Sequence, residues 1–125
     1  MLPLAIIELV TGAGLLLFWA GFFTIGLAPA NPPECYLAYE HSFWLPDTIL
    51  AVALITAAVR LRQGKTTGRS LSLACAGALV FLGVLDFSFN IQNGVYTSST
   101  LDLILNAFIN AWCVAAGVYV SVSLA

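Results

Sequence analysis

Four long apolar runs divide the chain, and polar or turn-forming residues separate them. The first run carries no charge from residue 9 to residue 27, with Glu8 immediately before it. A linker over 29–42 follows, carrying Pro32-Pro33, Glu34, Tyr36, Tyr39, Glu40 and His41. The second run begins around 43–47, passes through TILAVALITAAV and ends at Arg60 and Arg62, whose stems can snorkel to an interface. Residues 63–69 read as a tight polar turn. The third run starts near Ser70 and continues past Asp86 to Gln92, before the turn signal Asn93-Gly94. The fourth runs from about 101 to 123, with residues 97–100 able to cap it, and contains Asn106 and Asn110.

Each run approaches the roughly 20 residues that a helix needs to cross a bilayer. The pattern predicts an all-α fold in one integral membrane domain over 1–125, a four-span transmembrane helical bundle. The spans are expected at 5–27, 44–62, 70–92 and 101–123, up-down-up-down. Ala28-Pro29-Ala30 has the small-x-small look of a cleavage site. The residues before the first run contain no Lys or Arg, however, and that run is long for a signal peptide, so it reads as a retained span.

Composition strengthens the membrane reading. Of 125 residues, 61% are hydrophobic and 8% charged, against roughly 25% charged in soluble domains. So few charges cannot cover a water-facing surface. A soluble enzyme, a disordered chain and a secreted disulfide scaffold are excluded, and a net charge of −2 gives no footprint for nucleic acid. Cys35, Cys75 and Cys113 form no CxxC pair.

Charge also orients the chain. Arg60, Arg62, Lys65 and Arg69 all fall at the connection between the second and third runs, which the positive-inside rule places in the cytoplasm. Both termini are then cytoplasmic (N-in, C-in), and 29–42 and 93–100 are non-cytoplasmic. Aromatic residues at Tyr36, Tyr39, Phe43, Trp44 and Tyr96 gather on that outer side.

With this orientation, five of the six acids fall in the outer half, Glu8 being the exception. Asp102, Asn106 and Asn110 stand at i, i+4 and i+8, and Asp86, Asn90 and Asn93 at i, i+4 and i+7, each set one helical stripe. The stripes are expected to face each other, with Asp47 closing the same space between spans two, three and four. A carboxylate in hydrocarbon costs several kcal/mol unless paired, hydrated or protonated. No Arg or Lys lies near, so the cluster calls for protonation of one acid, Asp86 first, or for a bound cation.

The candidate ligand-binding residues are therefore Asp86, Asn90, Asn106, Asn110, Asp47, Asp102, Glu40, His41 and Gln92. Plainer readings stand beside them. Asn106 and Asn110 suit interhelical hydrogen bonding, and Asp47, Asp102 and Glu8 suit helix N-terminal acids. His41 suits an interfacial position. Ala107, Ala111 and Ala115 read as a small-residue packing face, and Trp19 and Trp112 as lining a pocket or core. No metal motif is present and no cofactor is expected, a bound cation being the alternative.

In size and span number the chain resembles small four-helix membrane families such as the emopamil-binding-protein-like isomerases and DoxX-like proteins. The resemblance is one of architecture, and no site residue is carried over from it. Three functions are compatible with the sequence. The first is an outward-facing cavity that binds or passes a cation, a proton or a small cationic or amphiphilic molecule. The second is a membrane-embedded acid/base enzyme on a lipophilic substrate. The third is an accessory subunit of a larger membrane complex. The partners expected are the lipid bilayer, such a ligand, and a homo-oligomer or larger complex.

Overall fold

The computed structural model describes residues 2–26, 35–95 and 100–125, the side chain of Asp102 excepted. Among these residues five helices form: α1 (Leu2–Thr24), α2 (Tyr36–His41), α3 (Trp44–Arg62), α4 (Thr66–Gln92) and α5 (Thr100–Leu124). No strand occurs among the described residues. Four helices are long and apolar enough to cross a membrane, with the six residues of α2 leading into the second of these segments. Glu34, Tyr96 and the capping positions 97–99 lie outside the described residues.

The four long helices form a bundle in which α1 packs on α3, α3 on α4, and α4 on α5, while α1 and α5 touch only sparsely. Three apolar clusters fill it. One joins Leu4, Leu61, Ala76, Val120 and Leu124. A second, in the middle, joins Leu50, Leu54, Cys75, Leu79, Cys113 and Ala116. The third joins Trp19, Phe22, Tyr36 and Val95, with Phe43 and Phe89 against it. Large apolar side chains such as Leu17, Phe81, Leu101 and Val122 point outward instead. That distribution suits a surface solvated by lipid, where helix association draws on close packing more than on hydrophobic burial.

Small residues supply that close packing, though not the expected ones. Ala111 and Ala115 are exposed, so the Ala107, Ala111, Ala115 stripe is not the interface. Gly83 and Gly117 are the contact points of α4 with α5: a Cβ on Gly117 would lie 2.6 Å from the Ala76 carbonyl oxygen. Gly12 does the same for α1 and α3, where a Cβ would meet the Ala51 carbonyl oxygen at 3.0 Å.

The elements differ from the sequence expectation in places: α1 runs Leu2–Thr24 against the expected 5–27, and two larger differences have a physical cause. α4 starts at Thr66 rather than near Ser70. Gly64, at φ 71°, ends α3 in a Schellman turn, with Gly64 N–H donating to the Leu61 carbonyl and Lys65 N–H to that of Arg60. Gly68 then lets the first turn of α4 lie against the backbone of Arg60 and Leu61. The second difference is α2, a helix inside the expected linker. Tyr36 is its buried anchor, and Tyr39 stacks on Phe89 with ring centroids 3.7 Å apart.

Candidate functional site

A cavity of about 260 Å³ lies inside the bundle. Its walls come from all five helices, a wider set than the second to fourth spans expected from sequence. Leu15, Phe18, Leu79, Leu82 and Ile109 make the apolar part, and Glu40, Asp47, Asp86, Asn106 and Asn110 the polar part. The exposed wall residues, Val10, Gly14, Phe108 and Trp112, belong to α1 and α5. The mouth therefore lies along the sparsely packed α1–α5 seam. Trp112 Nε1–H crosses that seam to donate to Thr11 Oγ at 2.9 Å, and Thr11 donates in turn to the Ile7 carbonyl at 2.7 Å.

Asp86 is the most heavily supported acid. Tyr39 donates its phenolic hydrogen to Oδ1 at 3.3 Å, and the Asn90 amide donates to Oδ2 at 3.5 Å, one turn along α4. The Asn110 side chain hydrogen-bonds the same carboxyl from α5. Neutral donors from α2, α4 and α5 thus converge on one group, fixing its rotamer and holding the three elements in register. Asp47, in the first turn of α3, takes the Trp19 Nε1–H at 2.9 Å on Oδ2. Its buried Oδ1 has no hydrogen-bond partner among the described residues. Glu40, on α2, closes the polar end and is itself buried. Glu40, Asp47 and Asp86 lie close enough for their charges to interact. No basic side chain is among the described residues that line the cavity.

Five of the nine expected residues, Glu40, Asp47, Asp86, Asn106 and Asn110, line the cavity together. Asn90 is fully buried behind Asp86 and acts on the cavity through it. His41 does not join them. It is exposed and stacks on Phe23 at 5.7 Å, because one more residue along the short α2 turns it about 100° round the helix from Glu40. Gln92 is also exposed, donating to Ser88 Oγ at 3.1 Å one turn back. The side chain of Asp102 lies outside the described residues.

Sequence reasoning missed Trp19, Tyr39 and Thr11 as polar partners of the site. Trp19 and Thr11 sit in an apolar run, and only the α1–α3 and α1–α5 neighbour relations give their hydrogen-bonding atoms a purpose. Glu8 was also misplaced by the sequence. It is no interfacial first-turn acid but a second-turn residue that is 1% exposed.

Among the described residues, no three His, Cys, Asp or Glu side chains are grouped as a metal site would require. No protein-family model, curated protein or solved structure matches the chain.

Proposed function

We propose that the chain is a four-pass integral membrane protein whose cavity binds a small amphiphilic organic cation drawn from the bilayer. The carrying observation is the cavity's composition: buried and half-buried acids at one end with no base among the described lining residues, apolar walls along the rest, and a mouth along the sparsely packed α1–α5 seam, which this reading turns towards lipid. A cationic head placed beside Asp86 and Asp47 offsets the cost of acids in a dry site, and an apolar tail takes the Leu and Phe wall. Recognition is by charge and shape. Asp86 already accepts from Tyr39, Asn90 and Asn110, which leaves it suited to a diffuse ammonium more than to a dehydrated metal ion.

In this reading the spans run up-down-up-down, with both termini and residues 63–69 in the cytoplasm. Two observations support it. All four basic residues lie between 60 and 69, at one end of α3 and α4. Leu4 of α1, Leu61 of α3 and Leu124 of α5 share one cluster, whereas Trp19 and Phe22 of α1 share another with Phe43 and Phe89.

The test is titration of the purified protein with benzyltrimethylammonium, followed by tryptophan fluorescence, since Trp112 lines the cavity and Trp19 holds Asp47. Saturable quenching is expected, with affinity at least about tenfold lower in Asp86→Asn, the loss of about 1.4 kcal/mol of charge attraction. Equal binding of the uncharged carbon isostere, neopentylbenzene, would sink the charge-recognition argument.

The hydrogen bond between Tyr39 and Asp86 favours acid/base catalysis on a lipophilic substrate as a second reading, since it sets a proton donor beside an acceptor at the cavity wall. Tyr39→Phe separates the two: a binding protein keeps its ligand affinity, whereas an enzyme loses turnover.

A further inference from the structure

Glu8 lies outside the cavity, yet among the described acids it is the most deeply buried, at 1% exposure. Neither of its carboxyl oxygens has a hydrogen-bond partner among the described residues, and the same holds for Ser72 Oγ, at 0% exposure. The two side chains are neighbours, close enough for Ser72 to act on the carboxyl but outside hydrogen-bonding geometry. Three oxygens are thus gathered and left unsatisfied in the middle of an apolar bundle. An ionised carboxylate without partner there costs several kcal/mol, and a proton on it removes most of that cost.

The surroundings offer no other remedy. On α4 the groups facing Glu8 are Ser72 and the Cys75 thiol. The buried faces of α3 (Leu54, Ala57, Ala58) and α5 (Ala116, Val120) carry no charge. Arg69 stands one turn from Ser72, but its guanidinium donates to the Leu124 carbonyl and the residue is exposed.

Position gives the pair a use. Thr11 lies one turn from Glu8 on α1, about 4.5 Å along the axis, and Thr11 lines the cavity. Ser72 lies one turn, again about 4.5 Å, from Arg69 at the basic end of α4. In order of position along the helices, the Asp86 cluster, the cavity, Thr11, Glu8 and Ser72 therefore follow one another at intervals of about a turn, with no hydrogen bond joining Glu8 to Thr11 or Ser72 at rest.

We propose that Glu8 and Ser72 form an inner proton-binding site that continues the cavity into a proton route across the bundle. In the transfer Thr11 turns its hydroxyl from the Ile7 carbonyl, and each hydroxyl oxygen takes up a proton on a lone pair as its own O–H bond breaks towards the next oxygen, the electron pair of the broken bond staying behind so that no alkoxide forms. Only H⁺ is displaced, and Glu8 is the station where it rests. The route uses the cavity as its outer half, so it deepens the functional reading above, but it does not require that the cavity take an organic cation.

The test uses the full chain in phosphatidylcholine vesicles containing pyranine, with a pH step imposed and valinomycin with potassium to balance charge. The protein is expected to speed the collapse of the gradient over empty vesicles. Glu8→Gln, isosteric with the neutral acid, should lose that acceleration while keeping its thermal midpoint and its fluorescence response to benzyltrimethylammonium. Ser72→Ala should slow the collapse. Infrared spectra of the unaltered protein should show a protonated-carboxyl stretch that Glu8→Gln lacks, a readout independent of transport. Collapse no faster than in empty vesicles, equal rates with Glu8→Gln, or an unchanged carboxyl band each overturns the proposal. A failure of benzyltrimethylammonium to quench fluorescence strikes the ligand reading alone.

Discussion

Gly117→Ala isolates what holds the site together. Gly117 lies where α5 meets α4, and an added Cβ would stand 2.6 Å from the Ala76 carbonyl oxygen, 2.7 Å from Val80 Cγ2 and 3.1 Å from Val80 N. Ordinary contact begins at 3.4 Å, so the helices must part by about 0.8 Å, and two of the three obstructing atoms are backbone atoms that cannot rotate away. Overpacking of this kind costs about 1–3 kcal/mol. The cost is not local, because the same α4–α5 interface sets Asn110 against Asp86. Gly77→Ala on α4 is the internal control: its added Cβ meets nothing within 4 Å, and Ala is the better helix former. Thermal or denaturant unfolding in detergent should show Gly117→Ala destabilised and Gly77→Ala unchanged or slightly stabilised. Equal stability of Gly117→Ala and the unaltered protein would refute the claim that direct backbone contact sets this interface.

Two further outcomes are expected. Trp19→Phe keeps the aromatic contacts with Phe18 and Phe22 but strips Asp47 of its donor, and should cost about 1–3 kcal/mol of stability. Asp47→Leu should recover most of that loss in the double variant, and strictly additive losses would argue against a shared interaction. Cys35 is exposed, whereas Cys75 and Cys113 are buried. A membrane-impermeant maleimide applied to intact cells should therefore label the chain at Cys35 only, and labelling confined to disrupted cells would reverse the orientation.

Much of this architecture is legible in the residue pattern because bilayer-length apolar runs have few alternatives. The breaks at 63–69 and at Asn93-Gly94 are written in glycine and charge, and α3 ends at Arg62 as expected. Part of the polar stripes was legible too: Asn90, Asn106 and Asn110 are all buried, whereas Asn93 is half-buried and the Asp102 side chain lies outside the described residues. The α2 helix was not legible, since six residues are too few to show a period and its support comes from distant Trp19, Phe22 and Val95. Neighbour relations were equally hidden. Nothing local in the sequence says that Trp19 meets Asp47, 28 positions away, or that Trp112 meets Thr11 across 101. Glu8 was misread for the same reason. An acid near the start of a helix looks interfacial until three other helices are packed around it.

On the proposed reading, a cavity that opens sideways along the α1–α5 seam samples the acyl-chain layer, so its filling would answer to moles of ligand per mole of lipid and not to moles per litre of water. An amphiphile that partitions strongly into lipid could fill it at trace aqueous levels, and one that stays in water would leave it empty. Apparent affinities measured at two detergent-to-protein ratios should then differ in proportion to the micellar volume, although no contact inside the protein has changed.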